Sequence, residues 1–191
     1  MKSSGRPAKL ICFIVFASVL IGFVAFQAWI LIAVRKWGEI GGGTDVDYLL
    51  LGGPRTMLIG HGPLQDASVA RLVKAARNMN QLPYCDRLSI VNKNLHPHAQ
   101  VAIIDAIVVR SIHIQNGECG ADCMDAISRQ SQLEYLGLGI TDLSVDGLIA
   151  LQNMPRLKSV QIQNCNLTQL DVDRVRAAFG SRVVIHQRAK K

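Results

Sequence analysis

LEYLGLGITDLSVDGLIALQNMPR, residues 133–156, places leucine at 133, 136 and 138 and again at 143, 148 and 151. Leu136 and Leu138 alternate as in a short strand, one side chain facing in and the next out. Leu148 and Leu151 have the spacing of one side of a helix. Ser144, just before them, is a residue type that caps helix starts. The stretch therefore predicts a strand, a turn and a helix in immediate succession.

Sliding this stretch along the chain by its own length extends the prediction. Cys85, Val109, Leu133 and Leu157 share one column; Leu88, Ile112, Leu136 and Val160 the next; Ile90, Ile114, Leu138 and Ile162 the third. Leu95, Cys119, Leu143 and Leu167 follow, then Ile103, Ile127, Leu151 and Val175. All five columns are apolar in all four rows, although only 49% of the chain is hydrophobic, so the pattern is a repeat and not a bias of composition. Thr168 matches Ser144 as a second N-cap. One strand–turn–helix unit cannot cover its own apolar face, so neighbouring units must stack.

LEYLGLGIT, VRSIHIQNG and LKSVQIQNC resemble the leucine-rich-repeat pattern L-x-x-L-x-L-x-x-N/C/T. ITDLSVDGLIAL resembles the form common in bacterial envelope proteins, with Thr or Cys in place of Asn at the turn. The resemblance covers residues 85 to about 185. It implies an α/β fold: a short leucine-rich-repeat solenoid with parallel strands on a concave face and helices on a convex one. It also implies that the concave face binds protein. The row at 85 departs from the pattern, with Lys93 at the turn position and Gln100 where Leu148 stands. Upstream, residues 56–85 read as an irregular first unit. Met57 and Ile59 take its strand columns, Leu64 its turn and 68–77 its helix, with YLLLGGP before it as a closing strand. VVIH, 183–186, reads as one more strand.

The amino-terminal part is of another kind. Residues 10–34 carry no charge, long enough to cross a bilayer core with some tilt. A cleaved signal peptide has a shorter apolar region and a small-residue cleavage site, which Ala25-Phe26-Gln27-Ala28 matches poorly. The organisation expected is a basic flank over 1–9, a transmembrane helix over 10–36, a Gly-rich tether over 37–47 and a repeat domain over 48–191. Lys2, Arg6 and Lys9 precede the span and Arg35 and Lys36 follow it. This balance places the amino terminus in the cytoplasm and the repeat domain outside. Five of the 21 Lys and Arg lie in the first 36 residues, which hold none of the 14 acids, so +5 of the net +7 belongs to the membrane flanks. With few aromatics besides, nucleic-acid binding is not indicated.

The concave strip is expected to present Ser89, Val91, His113, Gln115, Tyr135, Gly137, Gly139, Ser159, Gln161 and Gln163, with Arg110, Glu134 and Lys158 at its rim. Tyr135, His113, Gln115, Gln161, Gln163, Arg110 and Lys158 are the candidate partner-binding residues, and Tyr135 is the best anchor among them. The same strip also reads as a solvated face without a ligand. Cys85 and Cys119 fall in core columns, Cys165 at the turn; thiols there act as small hydrophobes. His96 and His98 align with Gly120 and Asp122 one repeat on, beside Cys119 and Cys123, a donor set that would suit zinc, against the reading of ordinary core sulfurs and no metal. No nucleophile elbow, P-loop, HExxH or dinucleotide fingerprint occurs, and His113 lacks an acidic orienter. The chain thus reads as a non-enzymatic, membrane-anchored module that holds a protein partner, with no cofactor and no small-molecule substrate. The alternative is an assembly factor or structural subunit of a membrane complex, recognised through its transmembrane helix.

Overall fold

Leu136 pairs with Ile112 on one side and Val160 on the other, and Ile112 pairs in turn with Leu88. Ile90, Ile114, Leu138 and Ile162 form a second such row, so strands of successive repeats lie side by side in matching register. This structure is a computed structural model. It describes residues 5–39, 42–44, 56–59, 69–81, 85–91, 95–139 and 142–186, with side chains for 15–32, 35, 56–59, 69–71, 73–81, 85–91, 95–139 and 142–186. Tyr48, YLLLGGP, Leu64, Lys93, Thr141, the Cys12 side chain and the tail beyond His186 lie outside what is described.

In chain order the elements are α1 (Gly5–Glu39), β1 (Gly42–Thr44), β2 (Thr56–Ile59), α2 (Val69–Asn80), β3 (Arg87–Val91), α3 (Pro97–Ala106) and β4 (Ser111–Gln115). There follow β5 (Glu118–Cys119), α4 (Ala121–Ser128), β6 (Tyr135–Gly139), β7 (Asp142–Leu143) and α5 (Val145–Ala150). The chain closes with β8 (Ser159–Gln163), α6 (Gln169–Phe179) and β9 (Val183–His186). Strands β2, β3, β4, β6, β8 and β9 form a six-stranded parallel sheet in chain order, and β1 adds an antiparallel edge. β5 and β7 make a separate short bridge. The protein is thus mixed α/β, with successive helices packed on one another along the sheet.

The columns show why. All of their residues are buried except Leu143 and Leu167, which are half-buried against the same core. Each buried aliphatic side chain contributes about 1.5–3 kcal/mol relative to exposure, and none of the units could gain that alone. The helix starts recur as strictly as the strands. His96, Gly120, Ser144 and Thr168 stand at the N-cap positions, each one repeat length after the last. Ser144 Oγ accepts from the Gly147 amide, and Thr168 forms a capping box with Asp171. Asn116 and Asn164 leave their strands at φ 60° and 52°, a region asparagine tolerates better than most residues. Gly147 lets α5 approach α4 closely: a Cβ there would lie 2.8 Å from Met124 Cβ.

The departure at residue 100 does not break register. Gln100 is buried in the column of Met124, Leu148 and Val172, and its Nε2 lies 3.1 Å from Cys123 Sγ. Gln130, also buried, donates to the carbonyls of Ile104 and Ile107. Asn80 exchanges two hydrogen bonds with the Val108 backbone, tying the irregular first unit to the regular ones.

Three segments differ in extent or role from expectation. α1 runs from Gly5 to Glu39 instead of from 10 to 36, α2 runs from Val69 to Asn80 instead of from 68 to 77, and residues 42–44 of the glycine-rich segment pair with β2 instead of serving purely as a tether. β2 would otherwise present an open row of backbone donors and acceptors, which attracts a pairing strand. One stretch of α1, Val15–Ile32, has a mean hydropathy of 2.3, is long and apolar enough to cross a membrane, and is almost wholly exposed. Near its end Phe26 and Ile30 turn against the core, Ile30 to 3% exposure, where α1 meets α2 and β1.

Leu136→Ala removes the middle of a rung and is expected to cost about 2–5 kcal/mol. Leu170→Ala, at a position 70% exposed, should change stability by less than about 0.5 kcal/mol. Denaturant unfolding of the full chain in micelles, followed by circular dichroism, measures both; equal effects would contradict the packing.

Candidate functional site: the open face of the sheet

On each parallel strand the residues between the buried positions point away from the helices. Arg87, Ser111, Tyr135 and Ser159 make one outward row. Ser89, His113, Gly137 and Gln161 make the next, and Val91, Gln115, Gly139 and Gln163 the third. All the sheet residues expected on the strip are therefore brought together. Arg87 and Ser111 belong with them but are missed by a reading that starts the strip at Ser89; carrying the alternation one step further back finds both. On the flanking strands the same parity gives Leu58, Val184 and His186.

Gly137 shapes the middle of this face. A Cβ at 137 would lie 2.9 Å from His113 Cδ2, so the imidazole lies over the space that a side chain there would fill. Ser111, His113, Tyr135, Gly137, Ser159 and Gln161 thereby line a shallow depression of about 190 Å³. Tyr135 stands 49% exposed beside it. Burial lowers the pKa of His113 from its ordinary value, which favours the neutral ring.

Below the strip, at the point where the chain enters each strand, Asp86, Arg110, Glu134 and Lys158 follow one another across the rungs with alternating sign. Their backbones are linked in the same order: Arg110 N to Asp86 O, Glu134 N to Arg110 O and Lys158 N to Glu134 O, at 2.8–2.9 Å. Lys158 Nζ also lies 2.6 Å from Glu134 Oε2. That hydrogen bond holds the Glu134 carboxyl below its ordinary range and raises the Lys158 ammonium. Such exposed pairs contribute little stability, so the rim chiefly sets a local charge pattern.

The side chains of Arg110, Ser111, His113, Tyr135, Ser159 and Gln161 make no hydrogen bond or ion pair within the described residues. The helix side is different: Arg129 bridges Asp105 and Asp125, Arg174 bonds Asp146, Arg156 bonds Gln132, and Gln169 bonds Asp173. These pairs match several polar groups on α3 to α6, while Ser111, His113, Tyr135, Ser159 and Gln161 on the open sheet face are directed outward without a side-chain hydrogen bond among the described residues.

The cysteines lie elsewhere. Cys85, Cys119, Cys123 and Cys165 are buried and no two are joined. Burial, then Asp86, pushes the Cys85 thiol up to about 12; the hydrogen bond with Cys123, then burial, raises Cys119. His96 and His98 are exposed and stacked on each other at 5.1 Å. Among the described residues no three His, Cys, Asp or Glu side chains are grouped to hold a metal ion, so the zinc arrangement of His96, His98, Cys119 and Cys123 is not assembled.

No protein-family model matches the chain. Nor does any curated protein. Among solved structures it is similar to a chain in the crystal structure of the Rad7 and Elc1 complex in yeast, at 14% identity and a TM-score of 0.46. The alignment covers 97% of this chain and 46% of that one, so the present chain spans about half the length of its neighbour. What the fold defines is a mixed α/β protein with a parallel sheet open on one face.

His113 should titrate below its ordinary value of 6.5 in a nuclear magnetic resonance pH series. Because the folded-state pKa is depressed, the associated stability is present above about pH 6.5 and is lost as pH falls through the folded value. Gly137→Ala displaces the ring and should bring the midpoint back toward 6.5; a wild-type midpoint at or above 6.5 would refute the geometry. The raised, buried thiols of Cys85 and Cys119 should resist a water-soluble maleimide at neutral pH until denaturant is added, as mass spectrometry would show.

Proposed function

We propose that this is a membrane-anchored, non-enzymatic module of the leucine-rich-repeat type. Its open sheet face holds a protein partner on the outer side of the membrane. The observation that carries the reading is the cluster of Ser111, His113, Tyr135, Ser159 and Gln161 on the open sheet face, whose side chains make no hydrogen bond among the described residues. A surface that keeps its donors and acceptors convergent around a half-exposed tyrosine suits hydrogen-bonded capture of an extended segment. Tyrosine at such a centre commonly dominates the affinity. Gln115, Gln163 and Lys158 continue the same face upward and to its rim.

Membrane anchoring rests on α1. The run of Val15, Phe16, Val19, Leu20, Ile21, Val24, Leu31 and Ile32 is exposed, an arrangement that lipid would cover and water would not. It also supports a second reading, in which α1 itself is recognised by a membrane complex and the sheet face is idle.

Photocrosslinking in intact membranes, followed by identification of the attached protein, separates the two. Tyr135→Ala with Gln161→Ala should reduce capture at least tenfold, while Leu20→Ala within α1 should leave it unaltered. Capture that ignores the double variant but is lost on changes in α1 would favour the second reading. A topology reporter fused to Lys191 should report from outside the cytoplasm.

A further inference from the structure

α2 differs from the other helices in its charges. It contains Arg71, Lys74 and Arg77 and no acid, and all three are exposed on the side away from the buried Ala75, Ala76 and Met79. None of the three has an ion pair or side-chain hydrogen bond among the described residues. Arg129, Arg156, Arg174 and Lys158, farther along the chain, each have a partner. Three unpaired cations in a row on one helix, with no acid among them, point to an anionic surface outside the chain.

The position of α2 says which surface. α1 packs on α2, with Ile30 buried in the shared core. Ile30 lies one helical turn before Val34, where the uncharged run ends, about 6 Å along the helix axis. If α1 spans a bilayer, as proposed above, this contact holds α2 near the depth of the lipid headgroups. The apolar side of α2 is already occupied by the protein core, so only its basic side is available, and contact with lipid is electrostatic and not insertive. We infer that Arg71, Lys74 and Arg77 rest the folded domain against a leaflet rich in anionic lipid headgroups. Arg71 lies beyond the roughly 15–20 residues over which flanking charge directs insertion, so the row governs how the domain sits and not which way the span is threaded.

The inference rests on the membrane reading of α1, and its test keeps the two apart. The full chain bearing a fluorophore at Ala70→Cys, an exposed position on α2, is reconstituted into vesicles of phosphatidylcholine alone or with phosphatidylglycerol added. Flotation and resistance to alkaline extraction report the anchor; quenching of the fluorophore by headgroup-nitroxide lipid reports α2. The expected result is stable anchoring in both vesicles, with strong quenching only where phosphatidylglycerol is present. The quenching should be lost at high salt and in Arg71→Gln/Lys74→Gln/Arg77→Gln, each charge contributing about fivefold to the docking equilibrium. Anchoring with quenching indifferent to lipid charge and to the triple variant overturns the inference and leaves the anchor standing. Failure to float with either vesicle overturns both. Salt-sensitive retention of a duplex oligonucleotide by the row, with no dependence on lipid, would overturn it in favour of nucleic acid.

Discussion

The structure depends on the lateral contact of aliphatic rungs between parallel strands. Leu88, Ile112, Leu136 and Val160 touch in sequence only because every strand begins one full repeat after the last and none slips. A shift by a single position would turn every buried side chain to the open face, so register and burial enforce each other. The turns and caps serve the same end. Thr168 with Asp171, Ser144 with Gly147 and the left-handed Asn116 and Asn164 make each unit return the chain to its starting height.

That constraint is also what makes an open face. Since one side of the sheet and one side of each helix are consumed by the core, function has only the opposite surfaces to use. On α3 to α6 pairs such as Arg129 with Asp105 and Arg174 with Asp146 join neighbouring units. On the sheet the outward rows around Gly137 remain uncommitted, with His113 lying across the gap that the glycine leaves. The geometry thus separates a surface that holds the stack together from one that stays open.

Much of this can be read from the sequence because columns of leucine, isoleucine and valine at a fixed period report a core directly. The strand VVIH is legible from its own apolar run, although Val183 and Ile185 pair with Val160 and Ile162 one residue short of the repeat length. What the sequence conceals, it conceals for physical reasons. Residues 42–44 carry two glycines and no apolar alternation, so nothing in their pattern announces an edge strand; the unpaired edge of β2 recruits them. Gln100 reads as a break but stays in register because its amide reaches Cys123. Ile30 and Phe26 lie in a uniformly apolar run without periodicity, so the side of α1 that meets the domain has no signature in it. Arg87 and Ser111 obey the alternation and are lost only by starting the strip one step late. The His113–Gly137 contact joins neighbouring repeats, and spacing alone places the two on adjacent rungs without showing that the ring lies down.

The most direct test is a methyl–methyl nuclear Overhauser experiment on the full chain with labelled Ile, Leu and Val. The account predicts contacts from Leu136 to Ile112 and to Val160, and from Leu138 to Ile114 and to Ile162. A folded chain in which Leu136 shows neither neighbour would contradict it.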